Sequence, residues 1–201
     1  MQDMECIKKK CIKLNTYPIG KHKLVNVFDV VDCIVDFYKV NKKPLCKKRL
    51  FSLLYIYNLL AHIGIKQTRL DDEFFVKHTK EGKAVVEPAE TAKKCSRFSE
   101  DDNLTKKIKP YRSNIFLASI KTATSITSNI ALFLEKTLPI SIERLSEYVE
   151  TSFPFKNPRK KDGLINFKER QTYQSLKVRC KNFSSTNSFK KMLALYFDLE
   201  K

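Results

Sequence analysis

Two neighbouring segments in the first third of the chain carry apolar residues at helical spacing, and this pattern constrains the fold most. In the first segment these residues are Val27, Val31, Ile34, Val35 and Tyr38. In the second they are Leu50, Leu53, Leu54, Tyr57 and Leu60. Apolar residues that return every three or four positions line one face of an amphipathic helix. Asn26 is placed to cap the first helix and Gly64 to end the second. Since only Asn41 to Pro44 separate them, we expect the two helices to pack together.

The rest of the chain predicts a small hairpin and further helices. Two β-prone runs, Phe74 to Val76 and Ala84 to Val86, flank a turn-like sequence at Thr79 to Gly82, which indicates a β-hairpin. Residues 90–109 are polar and predict an exposed loop or a loosely held helix. Helical patterns return at residues 113–136, 142–149 after the capping Ser141, 166–181 and 187–200. The expected fold is mainly α, a compact domain of about five to six helices with a small β-hairpin.

Composition places the chain among folded proteins. Of 201 residues, 42% are hydrophobic and 11% aromatic, which is too apolar for a disordered chain. The longest apolar run, residues 50–61, is interrupted by Ser52 and Asn58 and is too short to cross a bilayer. Lysines near the N-terminus are followed by no apolar segment, so we expect no secretory signal, no membrane partner and a cytoplasmic location. The six cysteines are scattered, and we interpret Cys33 and Cys46 as small buried hydrophobes.

Motifs for catalysis are weak throughout the sequence. Four glycines are too few to build a phosphate-binding or dinucleotide-binding loop. His22, His62 and His78 are interpreted as structural, and the acidic run at residues 71–73 as a solvated stretch rather than a cation site. We therefore predict no catalytic residue, cofactor or metal, and a protein that is not an enzyme. The remaining alternative is an active site assembled from distant segments, which a single sequence does not reveal.

Charge points to an anionic partner. The chain has 39 basic and 22 acidic residues and a formal net charge of +17, enough to attract polyanions at low salt. One basic cluster, Lys106, Lys107, Lys109 and Arg112, is the candidate nucleic-acid site. No helix-turn-helix or aromatic platform accompanies it. A solubilising surface would account for the same charge, so both interpretations stay open.

Three groups of residues resemble one protein family. They are Val27 to Val35 with Leu45 to Tyr55, Asp71 to Lys77, and Ile142 to Val149 with Phe153-Pro154-Phe155 and Gly163 to Asn166. In order and type they resemble the opening helices, the acidic-aromatic strand and the Pro-aromatic loop of the Panacea domain family. That family includes SocA-like proteolytic adaptors, phage GepA-like proteins and many bacterial antitoxins. Where the family has Gly-Pro-Val, this chain has Glu81 to Val86, so its turn is altered.

The resemblance divides the chain and implies a function. It covers residues 25–173, between a basic N-terminal extension, residues 1–24, and a C-terminal helical extension, residues 174–201. It implies an antitoxin that neutralises a toxin by direct binding, or an adaptor that delivers a partner to a protease. The positive charge of the chain makes an acidic protein the expected partner. The implied partner-binding residues are Phe74, Phe75, Lys83, Phe153, Phe155 and Arg159. An equally open interpretation is that Phe153 and Phe155 attach their loop to the core. The alternative function is a basic nucleic-acid-binding regulator or phage accessory protein.

Overall fold

The computed structural model describes residues 24–62, 69–108, 125–179 and 189–198. The helices in these ranges are α1 (Val27–Val40), α2 (Lys47–Ala61), α3 (Ala89–Lys94), α4 (Leu104–Lys107), α5 (Ser125–Thr137), α6 (Ile142–Glu150), α7 (Phe153–Lys156), α8 (Arg170–Arg179) and α9 (Phe189–Phe197). The strands are β1 (Leu24–Val25), β2 (Arg69–Leu70), β3 (Phe74–His78) and β4 (Ala84–Pro88). β1 pairs in parallel with β2, and β3 in antiparallel register with β4.

The predicted fold class is confirmed. Among the described residues, six helices have nine residues or more, and the other three have only four to six. The predicted hairpin is β3–β4, which turns at Gly82 with a φ of 79°. No helix within the described ranges is long and apolar enough to cross a membrane.

Helices α1 and α2 form the centre of the core, as their spacing predicts. Asn26 accepts a hydrogen bond from the Phe28 amide at 2.8 Å, so the predicted cap is present. α2 is buried almost all around from Ser52 to Ala61 because other elements pack on each of its sides. It ends at Ala61, and the predicted terminator Gly64 lies outside the described residues.

In the acidic run before β3, Asp71 and Glu73 are exposed as predicted, but two of its carboxylates also bind helix amides. The Asp71 carboxylate accepts from the Val27 amide at 2.6 Å, at the start of α1. The Asp72 carboxylate accepts from the amides of Glu90 and Thr91 at 3.0 and 3.3 Å, at the start of α3. Both carboxylates satisfy amides that a helix leaves unpaired at its first turn. The run therefore holds two helices.

Residues 90–108 are also more firmly held than predicted. They contain α3 and α4, and the side chains of Thr91, Cys95 and Leu104 are fully buried. The Leu104 amide donates to the Leu45 carbonyl at 2.8 Å, which fixes the segment beside the link between α1 and α2. Sequence reasoning missed this because three isolated anchors in a charged stretch produce no periodic pattern.

The end of α5 depends on one arginine. Arg49 lies in the first turn of α2, and its Nη2 donates to the carbonyl oxygens of Thr137, Leu138 and Ile140 at 3.1, 3.1 and 2.7 Å. Its Nε donates to the hydroxyl of Tyr38 on α1 at 2.7 Å. Carbonyls at a helix C-terminus have no partner within the helix, so the guanidinium supplies it. Of the three consecutive basic residues Lys47, Lys48 and Arg49, Arg49 thus has a structural role.

The segment after α7 returns to the hairpin and extends it. The Val76 amide donates to the Gly163 carbonyl at 2.9 Å, and the Ile165 amide to the Phe74 carbonyl at 2.8 Å. Gly163 has a φ of 74°, and a Cβ there would lie 2.7 Å from the Val76 carbonyl oxygen. Both the left-handed conformation and the close approach require glycine.

With two prolines and a closing glycine, the sequence of residues 153–163 predicts no regular structure, and this prediction is wrong at its start. Residues 153–156 form the helical turn α7, with Pro154 in the first turn, where a missing amide costs no hydrogen bond. The C-terminal patterns are found as α8 and α9, although α8 begins at Arg170 rather than at residue 166. α5 ends before Pro139 as expected, and residues 113–124 of that pattern lie outside the described residues.

Replacing Arg49 tests its role in joining α1, α2 and α5. We expect Arg49→Met to lower the free energy of unfolding by about 3 kcal/mol, because it removes four charged hydrogen bonds and leaves carbonyls unsatisfied. Chemical denaturation measures the loss. Lys48→Met is the matched control, since Lys48 makes no ion pair within the described residues, and it should unfold within about 0.5 kcal/mol of the parent. Equal losses in both variants would contradict the proposed role.

Replacing Gly163 tests the contact between the returning segment and β3. Gly163→Ala meets both a left-handed backbone and the Val76 carbonyl, so we expect a loss of about 2–3 kcal/mol. Gly82→Ala is the control, because Gly82 has a similar φ but nothing within 4 Å of its added Cβ. Its loss should stay near 1 kcal/mol. If denaturation gave the two variants the same stability, the close approach at Gly163 would not matter.

Candidate functional site

A cleft of about 550 Å³ opens between the hairpin and helices α2, α3, α6 and α7. Its apolar lining comes mainly from Phe51, Phe75, Val86, Val149 and Phe155. A volume of this size and an apolar lining are typical of sites that enclose a ligand or a few side chains of a partner. We call this site the hairpin cleft.

Charged side chains surround the opening of the hairpin cleft. They are Lys47, Lys48, Lys77, Lys93, Glu87, Glu100 and Glu150. Lys93 forms an ion pair with Glu90 at 2.6 Å, and Lys77 Nζ lies 5.4 Å from the centre of the Phe75 ring. Within the described residues Lys47 and Lys48 have no carboxylate at ion-pairing distance. The end of the cleft at α2 therefore carries two lysines outside any ion pair, with Glu143 near enough to Lys48 for their charges to interact.

One polar group in the cleft wall lacks a partner. Ser146 lies on α6 with only 8% of its surface exposed, and its Oγ makes no hydrogen bond within the described part of the chain. A buried hydroxyl in this state costs roughly 1–3 kcal/mol. Ser146 lines the cleft, but its Oγ is closed to solvent, so a hydrogen-bonding group placed in the cleft reaches it only once the side chain rotates. In the sequence, the position of Ser146 beside Leu145 and Val149 on the apolar stripe of α6 was the only indication that it would be buried.

The structure brings together two of the predicted partner-binding residues. Phe75 of β3 and Phe155 of α7 both line the hairpin cleft, although 80 positions separate them (155 − 75). Phe155 is 7% exposed, so it forms part of the cleft wall and also packs on the core. The hairpin and the Pro-aromatic segment thus share one surface.

The other predicted partner-binding residues lie elsewhere. Phe74 is 1% exposed and packs edge-on against Tyr55 and Phe167 in the core. Lys83 is exposed in the hairpin turn. Phe153 is half-buried and lines a smaller recess of about 200 Å³ beside α8. Arg159 is exposed and forms an ion pair with Asp162.

The predicted nucleic-acid cluster is only partly described. Lys106 is exposed, whereas Lys107 forms an ion pair with Asp102 at 2.5 Å. Lys109 and Arg112 lie outside the described residues. Lys106 instead lies beside lysines from the end of α1, in a recess that shares no lining residue with the hairpin cleft.

The buried cysteines are neutral thiols. Burial, assisted by the nearby aspartates of α1, raises the pKa of the Cys33 thiol to about 12. Burial also raises the pKa of Cys95. Since the thiolate is the reactive form, both side chains act as packing groups. Cys33 is buried as predicted, whereas Cys46 is only half-buried, because it precedes the first turn of α2.

No cluster of three metal-ligating side chains occurs in the described residues. The lining of the hairpin cleft combines apolar side chains, serines, lysines and glutamates. This arrangement provides an apolar surface, one unsatisfied hydrogen-bonding position and a positive edge, which together suit binding of an apolar segment with a polar, acidic flank.

The turn at residues 159–164 predicts that the stability of the protein depends on pH. Asp162 accepts from Arg159 Nε at 2.9 Å and from the Leu164 amide at 3.1 Å, and the Arg159 hydrogen bond holds its pKa down at about 2. A lowered carboxyl pKa adds stability above the unfolded value of about 4, and this stability disappears as pH falls toward 2. Asp162→Asn should therefore lower the melting temperature at about pH 7, with the difference vanishing near pH 2.

Thermal unfolding at several pH values measures this difference. Asp101→Asn is the control, because Asp101 is exposed and has no ion pair within the described residues. It should melt with the parent throughout. A constant difference between Asp162→Asn and the parent down to about pH 2 would show that the carboxylate charge is not responsible.

Comparisons of the chain with protein-family models, with curated proteins and with solved structures return no match.

Proposed function

We propose that this chain is a non-enzymatic protein-binding module, an antitoxin that neutralises a toxin or an adaptor that delivers a partner to a protease. In this proposal the hairpin cleft receives an apolar segment of an acidic protein partner. The resemblance to the Panacea domain family supports this class of function. One observation carries it furthest: Phe75 and Phe155, from the two segments that the resemblance implies in binding, line the same cleft.

The cleft favours a protein segment for two reasons. First, its aromatic and aliphatic lining offers the kind of buried anchor position on which protein interfaces depend. Second, the Ser146 hydroxyl lacks a partner in the described chain, and a backbone or side-chain polar group beside an apolar anchor would supply one. An apolar side chain followed by a hydrogen-bonding group is what a peptide provides.

Charge favours an acidic partner. The chain carries a net charge of +17, which accelerates the approach of an anionic protein. At the cleft itself, Lys47 and Lys48 form no ion pair within the described residues, so both can attract an acidic residue that flanks the bound segment. The expected binding is therefore faster at low salt, while the apolar contacts keep the complex intact at high salt.

The test begins with purification of the full chain from its native cells at low and high salt, with identification of the stoichiometric protein partner by mass spectrometry. Calorimetry then measures the binding of that purified partner to cleft variants. Ala92→Trp fills the cleft from α3 and should weaken binding at least about tenfold. Val178→Trp, at a position 78% exposed on α8, is the control and should bind like the parent.

Ser146→Ala separates binding from folding. It removes the unsatisfied buried hydroxyl, so we expect the free protein to become more stable by about 1 kcal/mol. The same change removes a hydrogen bond to the partner, so affinity should fall about fivefold. Ser175→Ala is the matched control, since Ser175 lies on α8 with its hydroxyl bonded to the Thr172 carbonyl at 2.9 Å. If Ala92→Trp leaves affinity unchanged, the partner does not use the cleft and the proposal is wrong.

A further inference from the structure

A second recess, of about 620 Å³, lies between the end of α1 and the segment that leads into α4. Its polar lining consists of Lys39, Lys42, Lys43, Lys106, Asn103 and Thr105. We call it the lysine recess. It shares no residue with the hairpin cleft, so an inference about it does not depend on the proposed function.

The fold assembles the lysine recess from two distant segments. The Leu45 amide donates to Asn103 Oδ1 at 3.2 Å, and the Leu104 amide donates to the Leu45 carbonyl at 2.8 Å. These bonds fix the start of α4 against the link after α1, so that Lys106 joins three lysines from positions 39–43. The sequence shows only two separate basic runs.

The recess carries an excess of positive charge, although Asp36 on α1 lies near enough to Lys39 for their charges to interact. Nearby lysines elsewhere on the surface are paired, as Lys94 is with Asp32 at 3.6 Å and Lys107 with Asp102 at 2.5 Å. None of the four recess lysines has a carboxylate at ion-pairing distance within the described residues. All four are exposed. Four close positive charges repel one another and attract an anion with several negative charges.

Lys42 shows that stability does not account for this arrangement. A lysine just after a helix C-terminus interacts favourably with the negative end of the helix dipole, which gives a structural reason for a positive charge there. However, Lys42 has a φ of 53°, a left-handed conformation in which a residue with a Cβ costs about 1 kcal/mol relative to glycine. The Lys43 amide closes the turn by donating to the Tyr38 carbonyl at 3.0 Å, a bond that glycine at position 42 would keep. Lysine here lowers stability and adds charge to the recess.

We propose that the lysine recess binds the phosphate backbone of a nucleic acid. Lysine ammonium groups and a side-chain amide NH2 are donors from which phosphate oxygens accept hydrogen bonds. Thr105 Oγ1 and the Leu45 amide both donate to Asn103 Oδ1, which leaves the Asn103 amide group as a donor for phosphate. The Tyr38 hydroxyl is held by Arg49, so it does not read a base. The expected binding is independent of sequence and dominated by charge.

The salt dependence gives this proposal a number. Four lysines that each neutralise one phosphate give a slope of about −3 to −4 when the logarithm of the association constant is plotted against that of the salt concentration. Fluorescence anisotropy of the full chain with a labelled duplex of about 20 base pairs, and with a labelled single-stranded RNA of mixed sequence, measures this slope between about 50 and 200 mM salt.

Lys42→Gly combined with Lys106→Gln tests the recess. The first change relieves the left-handed lysine, so the variant should be at least as stable as the parent, and any lost binding is not a folding defect. We expect the slope to become less negative by about 2 and the affinity at low salt to fall about tenfold. The control is Lys83→Gln with Lys160→Gln, two exposed lysines outside the recess, which should change affinity less than about twofold.

Three outcomes would overturn the proposal. Equal losses in the recess and control variants would show that only net charge matters. No binding of either oligonucleotide at low salt would remove nucleic acid as the ligand. A recess variant that loses its protein partner while keeping both oligonucleotides would assign the surface to an acidic protein. Ala92→Trp, in the separate cleft, should bind oligonucleotides like the parent, so this test and that of the hairpin cleft fail independently.

Discussion

The guanidinium of Arg49 joins α1, α2 and the end of α5, and the packing of these helices depends on it. A half-buried positive charge is costly unless it is surrounded by acceptors. Here the acceptors are three carbonyls at the negative end of α5 and the hydroxyl of Tyr38, which Arg49 contacts at 2.7 to 3.1 Å. Burial raises the pKa of Tyr38 despite the hydrogen bond from Arg49, so the hydroxyl stays neutral and accepts that bond. The same turn of α2 carries Lys47 and Lys48 to the hairpin cleft. The position of Arg49 therefore also fixes the positive edge of the cleft.

The two candidate surfaces differ in the physics of what they can bind. The hairpin cleft is mostly apolar and its charges are mixed, so affinity there depends on shape and on desolvation. The lysine recess is exposed and carries charges of one sign, so affinity there depends on release of counterions. The two linings share no residue, so a substitution in one leaves the side chains of the other unchanged. High salt separates them, since it weakens the second interaction much more than the first.

Sequence patterns predicted the parts of the fold that depend on local chemistry. The periodicity of α1 and α2, the caps at Asn26 and Ser141 and the turn at Gly82 all follow from neighbouring residues. The patterns did not predict features whose partner is distant in the chain. In the sequence, Asp72 belongs to an acidic run, and only the fold shows that it accepts from the Thr91 amide. Likewise, Arg49 is one of three consecutive basic residues, and only the fold shows that it donates to the end of α5. The sequence predicted two segments of the candidate cleft, the hairpin and the Pro-aromatic segment. It did not predict the cleft wall at Ser146 or the lysine recess, because both are assembled from distant segments.

The pairing of residues 163–165 with β3 determines when the hairpin cleft is completed during synthesis. β3 is held on its free edge by residues 163–165, and the cleft also needs Phe155, so the binding surface is incomplete until almost the whole segment from α2 to Ile165 has left the ribosome. Contacts between residues so far apart along the chain form late, because closing a long loop costs entropy before any contact repays it. A nascent chain that ends at the hairpin lacks Phe155 and residues 163–165, so its cleft is not yet formed. A short peptide excised from this chain lacks part of the cleft lining in the same way.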